Sequence, residues 1–408
     1  MLETKRSSSI GKFVASKRTR CYLFFLSAGL GIGAWAASLP LLSSKLGIDK
    51  GELGLILLCF AAGAIVLMVS IGSFIDRVGS DLLSLIGCLV FGSFVAVVPF
   101  AQQPMLVAFL VLVAGAGFGT LDVSMNTTAS VLERESKRHL MSSFHALFSV
   151  GNLIGAFLVG QIASYGIGVE GCLSAAGVFV ILSALATRMF GREKERPQAV
   201  SQPVHDNANA FRLTRSQIVL VSMFGAIAFL AMLAEGGMMD WTAVYLVNNL
   251  AASESVGAYG FGIFAGAMAI GRFGGDTITR RIGHLSLMRL GAIVSAVALV
   301  VMLTVHSVSL TLICLAVIGL GVSNLVPAVF AAGGHVGGKA AGKAISMVTT
   351  MGYSGLLLGP ACLGFIAQHF GLAISFGVIT FALVTIIISA FALARRMRRI
   401  GIEQSIQY

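Results

Sequence analysis

The sequence predicts an all-α membrane protein with 12 transmembrane helices in two pseudo-symmetric six-helix halves. Three observations predict it. Hydrophobic residues make up 57% of the 408 residues and charged residues only 11%, where a soluble chain carries about a quarter. Apolar stretches of about 20 residues, long enough to cross a bilayer core, recur from end to end. Sliding the chain over itself by 204 residues also sets glycine on glycine 8 times: Gly33/Gly237, Gly79/Gly283, Gly87/Gly291, Gly115/Gly319, Gly117/Gly321, Gly151/Gly355, Gly155/Gly359 and Gly160/Gly364. With 23 glycines in the first half and 26 in the second, chance gives roughly three coincidences. Arg77 falls on Arg281 in the same register.

Taken in order, residues 1–20 are basic and lead into helix 1 (21–44). The Ala36-Ala37-Ser38 end of this helix resembles a cleavage site, but removing it breaks the six-plus-six count, so it reads as a retained helix. Helices 2 and 3 follow at 51–74 and 82–101. Helix 4 (105–131) and helix 5 (140–165) carry glycine pairs one turn apart, Gly115/Gly119 and Gly151/Gly155, which allow close helix approach. Helix 6 (167–187) completes an N-terminal half, 1–187. A cytoplasmic linker, 188–215, is the one long polar segment; its Arg192-Glu193-Lys194-Glu195-Arg196 run, Pro197 and Pro203 fit a solvated connection. Helices 7 to 12 then lie near 216–248, 255–275, 286–305, 308–331, 342–367 and 372–394, forming a C-terminal half, 216–408. Gly271/Gly275 and Gly355/Gly359 repeat the four-residue spacing there. Short connections elsewhere make consecutive helices antiparallel neighbours and leave no room for a soluble catalytic domain.

The net charge of +11 is topological, not a nucleic-acid signal. With the N-terminus in the cytoplasm, 26 of the 28 Lys and Arg fall on cytoplasmic segments and only Lys45 and Lys50 lie outside. The positive-inside rule then sets both termini in the cytoplasm, with membrane lipid as the surrounding partner. The 6 cysteines sit singly in predicted helices, with no metal or redox spacing. Neither metal nor cofactor is expected. With no nucleophile, metal cluster or phosphate-cradling loop, an enzyme is not expected either.

After helix 2 the chain reads Gly72-Ser-Phe-Ile-Asp76-Arg77-Val-Gly79, which resembles the G-x-x-x-D-[RK]-x-G loop motif of the major facilitator superfamily. The resemblance implies the fold of that family and a gating role for Asp76, Arg77 and Gly79. The trailing basic pair of the motif is replaced by Ser80 and Asp81. In the second copy, Arg280-Arg281-Ile-Gly283, Arg280 stands where Asp76 stands in the first, and Asp276 one turn earlier is a partner for Arg280 or Arg272. Helix 4, Gly119-Thr-Leu121-Asp122-Val-Ser-Met-Asn126, resembles the fucose, galactose and glucose permease branch. That resemblance makes Asp122 a protonation and substrate site, although the acid expected on helix 1 is absent from Gly29-Leu-Gly-Ile-Gly33-Ala-Trp35. The chain is also similar to uncharacterised bacterial inner-membrane members of this branch, which share a His in helix 5 and an A-E-G…D-W stretch in helix 7.

The intramembrane polar residues carry the remaining expectations. Gly115, Gly119, Asp122 and Asn126 are spaced to share one helix face, and a carboxylate there costs at least about 2.5 kcal/mol to insert, so it faces a cavity or a partner. Proton coupling is assigned to Asp122 and Glu235. In helix 5, His145, Ser149 and Asn152 share a face; His145 is either a proton relay or a helix-end His bonded to Glu133 or Glu135. Helix 7 carries Glu235-Gly236-Gly237-Met-Met-Asp240-Trp241, where glycines beside an acid suggest a local helix break. Counting from Ser216 puts Glu235 near the outer surface, whereas the repeat pairs it with Gly31 in mid-helix 1. Trp35 and Trp241 are near-equivalents, either interfacial anchors or an aromatic clamp. Substrate contacts are therefore expected from Asn126, Trp35, Asn152, Asp240 and Trp241.

No Lys or Arg stands at the centre of a predicted helix, with Arg272 and Arg289 placed near cytoplasmic ends, so a neutral or cationic solute is favoured. The expected function is a monomeric proton-coupled symporter of a small, sugar-like polar molecule, working by alternating access. Exporters of this fold usually carry Gly-Pro in helix 5, but here that pair is Gly359-Pro360 in helix 11, which weakens the drug or metabolite antiporter alternative. A non-transporting membrane sensor or scaffold is the third reading.

Overall fold

The computed structural model describes residues 2–136, 140–190 and 213–399, without the side chains of 2–16, Ser73, Asp76, Ser142, Phe190, Asp276, Lys339 and Arg399. The linker's Arg192–Arg196 run and the side chain of Asp76 therefore lie outside the described residues. Among these residues, 12 helices are long and apolar enough to cross a membrane. They are α1 (Leu2–Leu46), α2 (Lys50–Ser70), α3 (Ser80–Val97), α4 (Pro104–Ser136), α5 (Met141–Ser164) and α6 (Val169–Ala186). After the linker come α7 (Arg215–Leu250), α8 (Glu254–Ile282), α9 (His284–Thr304), α10 (Val308–Gly337), α11 (Ala341–Phe370) and α12 (Leu372–Arg399).

Local chemistry starts and stops these helices. Thr214 and Gln217 form a reciprocal capping box at α7, and Asp49 and Glu52 exchange the same pair of bonds at α2. Ser253 and Ser307 accept the backbone N–H groups of Val256 and Leu310 at α8 and α10. Glu133 Oε2 accepts from the N–H groups of Leu140 and Met141 at the start of α5. Gly79 and Gly283 occupy the two equivalent turns with φ of 91° and 77°, a conformation that side chains with a Cβ rarely adopt. Gly283→Ala is therefore expected to lower stability by about 1–3 kcal/mol. Thermal unfolding of the purified protein checks this, and an unchanged midpoint contradicts it.

The chain divides into two compact units, Met1–Leu46 with Cys59–Ala199, and Gly47–Leu58 with Val200–Tyr408. In the first unit α1 packs along α5 and α6, and α4 packs on α3. In the second, α7 packs along α11, and α8 and α9 pack on α10. The repeated glycines lie at these crossings. A Cβ at Gly151 or Gly155 would strike the carbonyl oxygen of Leu26 or Leu30 on α1. At Gly355 it would strike that of Phe229 on α7, and at Gly359 it would meet Leu233. Gly115 meets Phe60 O on α2, as Gly319 meets Phe264 O on α8. Backbone-to-backbone approach, possible only without a Cβ, holds both copies together.

Two elements differ from expectation. α7 runs without a break through Gly236 and Gly237, both buried. The interruption is in α10 instead, where helix stops at Val322 and resumes at Leu325. Pro327 is the physical cause: it has no N–H to give the carbonyl of Ser323 four residues earlier.

Candidate functional site

In the first unit the site is built on α4. Phe118, Asp122 and Asn126 follow each other by one turn, so they form a single stripe. Asn126 Nδ2 donates to Asp122 Oδ1 at 3.2 Å and to the Asp122 carbonyl at 2.9 Å. Among the described residues this amide is the one partner of the Asp122 carboxylate; Oδ2 has none. Asp122 and Asn126 are half-buried. The exposed large apolar side chains of α4, Met105, Leu106, Phe109 and Leu112, lie roughly 80–160° away around the helix. Asp122 thus points away from the stripe that fits lipid.

An aromatic wall adjoins that stripe. Phe118 lies 5.7 Å, centroid to centroid, from Phe60 of α2, and Phe60 is stacked on Trp35 of α1 at 6.2 Å. Phe91 of α3 closes the group, 5.5 Å from Phe118. Trp35 is buried behind Phe60, while Phe60 and Phe118 are half-buried. Sequence reading found Trp35 and passed over the two phenylalanines, since single phenylalanines in apolar helices carry no signal.

On α5, Ser149 donates to the His145 carbonyl, and the His145 ring meets Phe25 of α1 edge-on at 5.3 Å. Glu133, one of its two expected partners, is committed to the backbone of Leu140 and Met141. Asn152 is buried at the α1–α5 crossing beside Gly33, with no hydrogen-bond partner for Oδ1 among the described residues.

The loop after α2 is fastened by residues outside its motif. Arg77 is exposed, and Gly79 makes the turn. Asp81 pairs with the buried Arg20 of α1 at 3.4 Å, and Thr128 of α4 donates to Ser80 Oγ at 2.8 Å. The two residues that replace the motif's basic pair are those that anchor the loop to α1 and α4.

In the second unit Glu235 lies about 22 Å along α7 from Leu250, which agrees with its mid-helix place in the repeat. It is not a lone acid. Arg272 of α8 donates through Nη2 to Glu235 Oε1 at 2.8 Å, with both side chains 16% exposed. Arg272 stands near the end of the apolar span Glu254–Gly275, as expected, but its long side chain carries the cation to Glu235. Its Nε donates to the Ser323 carbonyl at 3.3 Å, the acceptor that Pro327 leaves without a helical donor. Asn324 Nδ2 completes the junction by donating to the Gly271 carbonyl at 2.8 Å. Ser323, Asn324 and Pro327 are functional candidates that sequence reading missed; an Asn four residues or fewer before a proline within an apolar helix was the available signal.

Asp240 is half-buried and has no side-chain hydrogen bond or ion pair among the described residues. Trp241 beside it is fully buried, its ring against Gly364 and its Nε1 without a partner among the described residues. Arg280 and Arg281 are exposed, Arg280 donating to Thr277 Oγ1 at 3.2 Å. The side chain of Asp276, the expected partner of Arg280 or Arg272, lies outside the described residues.

The family model of the Major Facilitator Superfamily matches residues 21–360. An uncharacterized MFS-type transporter of Yersinia pestis is 33% identical over 93% of this chain and 96% of its own length. Multidrug resistance protein 1 of Bacillus subtilis is 23% identical, covering 82% of this chain and 85% of that protein. In three dimensions the chain is similar to the crystal structure of a bacterial homolog to the human lysosomal transporter Spinster, with a TM-score of 0.75 at 14% identity over 95% of this chain and 98% of that one.

Proposed function

We propose a coupling mechanism for this chain, which belongs to the Major Facilitator Superfamily and is a multi-pass membrane transporter: secondary active transport of a small neutral or cationic polar solute, driven by protons through Asp122. The observation that carries the reading is the half-buried Asp122 carboxylate in an apolar span, bonded only to a neutral amide among the described residues. A carboxylate inside a membrane needs a compensating charge, and a travelling proton supplies it. Asn126 holds the carboxylate in position without neutralising it. Glu235 is better read as a fixed element than as a second proton carrier, because Arg272 already compensates it. Asp240, Trp241, Asn152 and Trp35 remain substrate contacts in this reading, His145 a relay, and Arg77, Gly79, Arg280 and Arg281 gating residues with Asp76. We place the protein in a bacterial inner membrane with both termini cytoplasmic, on the distribution of Lys and Arg.

Two senses of coupling are compatible with Asp122. A sugar-like neutral solute leaves Asp122 to the proton and travels with it, as a symporter requires. A cationic solute displaces the proton and is exchanged for it. The second is favoured by the absence, among the described residues, of any cationic partner for Asp122.

The test uses proteoliposomes loaded with a pH-sensitive dye and challenged with sugars, polyols and amines. At least one solute is expected to move protons in the wild type and none in Asp122→Asn. Undiminished solute-dependent proton flux in that variant would falsify the assignment.

A further inference from the structure

We propose that the Asp122 carboxylate and the Phe118 and Phe60 ring faces beside it form a binding site for an organic cation, an ammonium group carried on a small polar molecule. The proposal rests on the exchange reading of Asp122 and specifies its ligand.

The charge inventory leads there. Among the described residues the ion pairs are Arg20–Asp81, Lys45–Glu170 and Arg272–Glu235. Arg20, Lys45 and Arg272 each have an acid of this chain beside them. Asp122 and Asp240 stand outside these pairs, as does Arg289 near the start of α9, which donates to Leu285 O and Ser286 Oγ and lies over the Phe391 ring; farther from the helix ends, the charge without an ion pair among the described residues is negative. A ligand that completes this balance is positive.

The neighbours of Asp122 specify which kind of cation. A metal ion needs several oxygen ligands, and no three His, Cys, Asp or Glu side chains gather among the described residues. The same face of α4 carries a phenyl ring instead, Phe118, one turn before Asp122, with Phe60 5.7 Å from Phe118. Ring faces attract an ammonium through their quadrupole and give little to a neutral hydroxyl. Trp35, stacked behind Phe60, fixes that ring in place. Asn126 occupies Asp122 Oδ1 and leaves Oδ2 to accept from the ligand. Because ammonium and proton compensate the same carboxylate, binding of one releases the other, and one cation is exchanged for one proton.

Calorimetric titration of the full-length protein in detergent tests this with two matched pairs, choline against 3,3-dimethylbutan-1-ol and glucosamine against glucose. Within each pair the molecules differ chiefly in charge. In at least one pair the cation is expected to bind about tenfold or more tightly than its neutral counterpart. Asp122→Asn is expected to abolish that preference, and Phe118→Leu to weaken cation binding several-fold while leaving the neutral member unchanged. Unfolding midpoints of both variants show whether they are folded, and the Phe118 variant decides the matter if Asp122→Asn is not. Absence of a charge preference in both pairs, including absence of any binding, overturns the cation site. So does a preference that survives in either variant unchanged. Binding is measured without a gradient, so this result is separate from the proton-flux experiment, which reads coupling alone.

Discussion

Leucine at Gly355 is expected to prevent the second unit from assembling, so that no monodisperse protein is recovered. At this position α11 crosses α7 so closely that even a Cβ would lie inside contact distance of the Phe229 carbonyl oxygen. The obstacle is backbone, which cannot rotate aside as a side chain does. Ordinary overpacking of a core costs about 1–3 kcal/mol, and forcing two helices apart costs more, since every contact along the crossing is lost with it. Gly352 and Gly359, also on α11, face Met232 and Leu233 of α7 and would lose the same packing. Gly151→Leu in the first unit is expected to behave alike, because its Cβ would strike Leu26 O on α1. Gly377→Leu is the control, since nothing stands within 4 Å of its Cβ position. Size-exclusion profiles after detergent extraction read the outcome, and a normal peak for Gly355→Leu contradicts it.

Replacing Arg272 with Gln is expected to destabilise the protein by about 3 kcal/mol, the lower end for breaking a buried ion pair, because the 16% exposure of both partners leaves water some access. Two groups lose a partner in this variant: the Glu235 carboxylate and the Ser323 carbonyl. Each can be repaired separately. Pro327→Ala gives α10 its missing N–H, as Ala328 already donates to Asn324 O at 3.1 Å, and is expected to recover about 1 kcal/mol in the Arg272→Gln background. Glu235→Gln in the same background removes the stranded charge and is expected to recover part of the remainder. Thermal unfolding of the single and double variants gives the coupling. If Arg272→Gln is as stable as the wild type, or if Pro327→Ala recovers nothing, the junction has been misread.

The scaffold was legible because it is periodic. Apolar runs located most helices to within a few residues, although α1 begins at Leu2 and α8 runs on to Ile282, where polar residues continue the helix beyond the apolar run; the glycine register marked the crossings, since a close approach of backbones demands glycine at the same place in each copy. The N-terminal candidate was legible for a related reason: Asp122 and Asn126 interact one turn apart on a single helix, so spacing alone joins them. The C-terminal junction was not. Glu235, Arg272 and Ser323 come from three helices, and no local pattern says that an arginine near the end of α8 reaches an acid on α7. The suspected break was assigned to the glycine pair in α7, where buried Gly236 and Gly237 serve packing. It was missed at Pro327 in α10, where the lost N–H acts on a carbonyl four residues away. Asp81 was noted only as a departure from a motif, because its partner Arg20 lies 61 positions earlier in the chain.

Coupling through Asp122 is tested most directly by imposing a pH gradient across proteoliposomes and following the solute that the proton-flux screen identifies. The wild type is expected to move that solute against its own gradient. Asp122→Asn, reconstituted at equal density and shown to be folded, is expected to leave it at equilibrium. Accumulation by Asp122→Asn equal to that of the wild type would contradict the account, and would place the coupling group elsewhere, with Asp240 the next acid to examine.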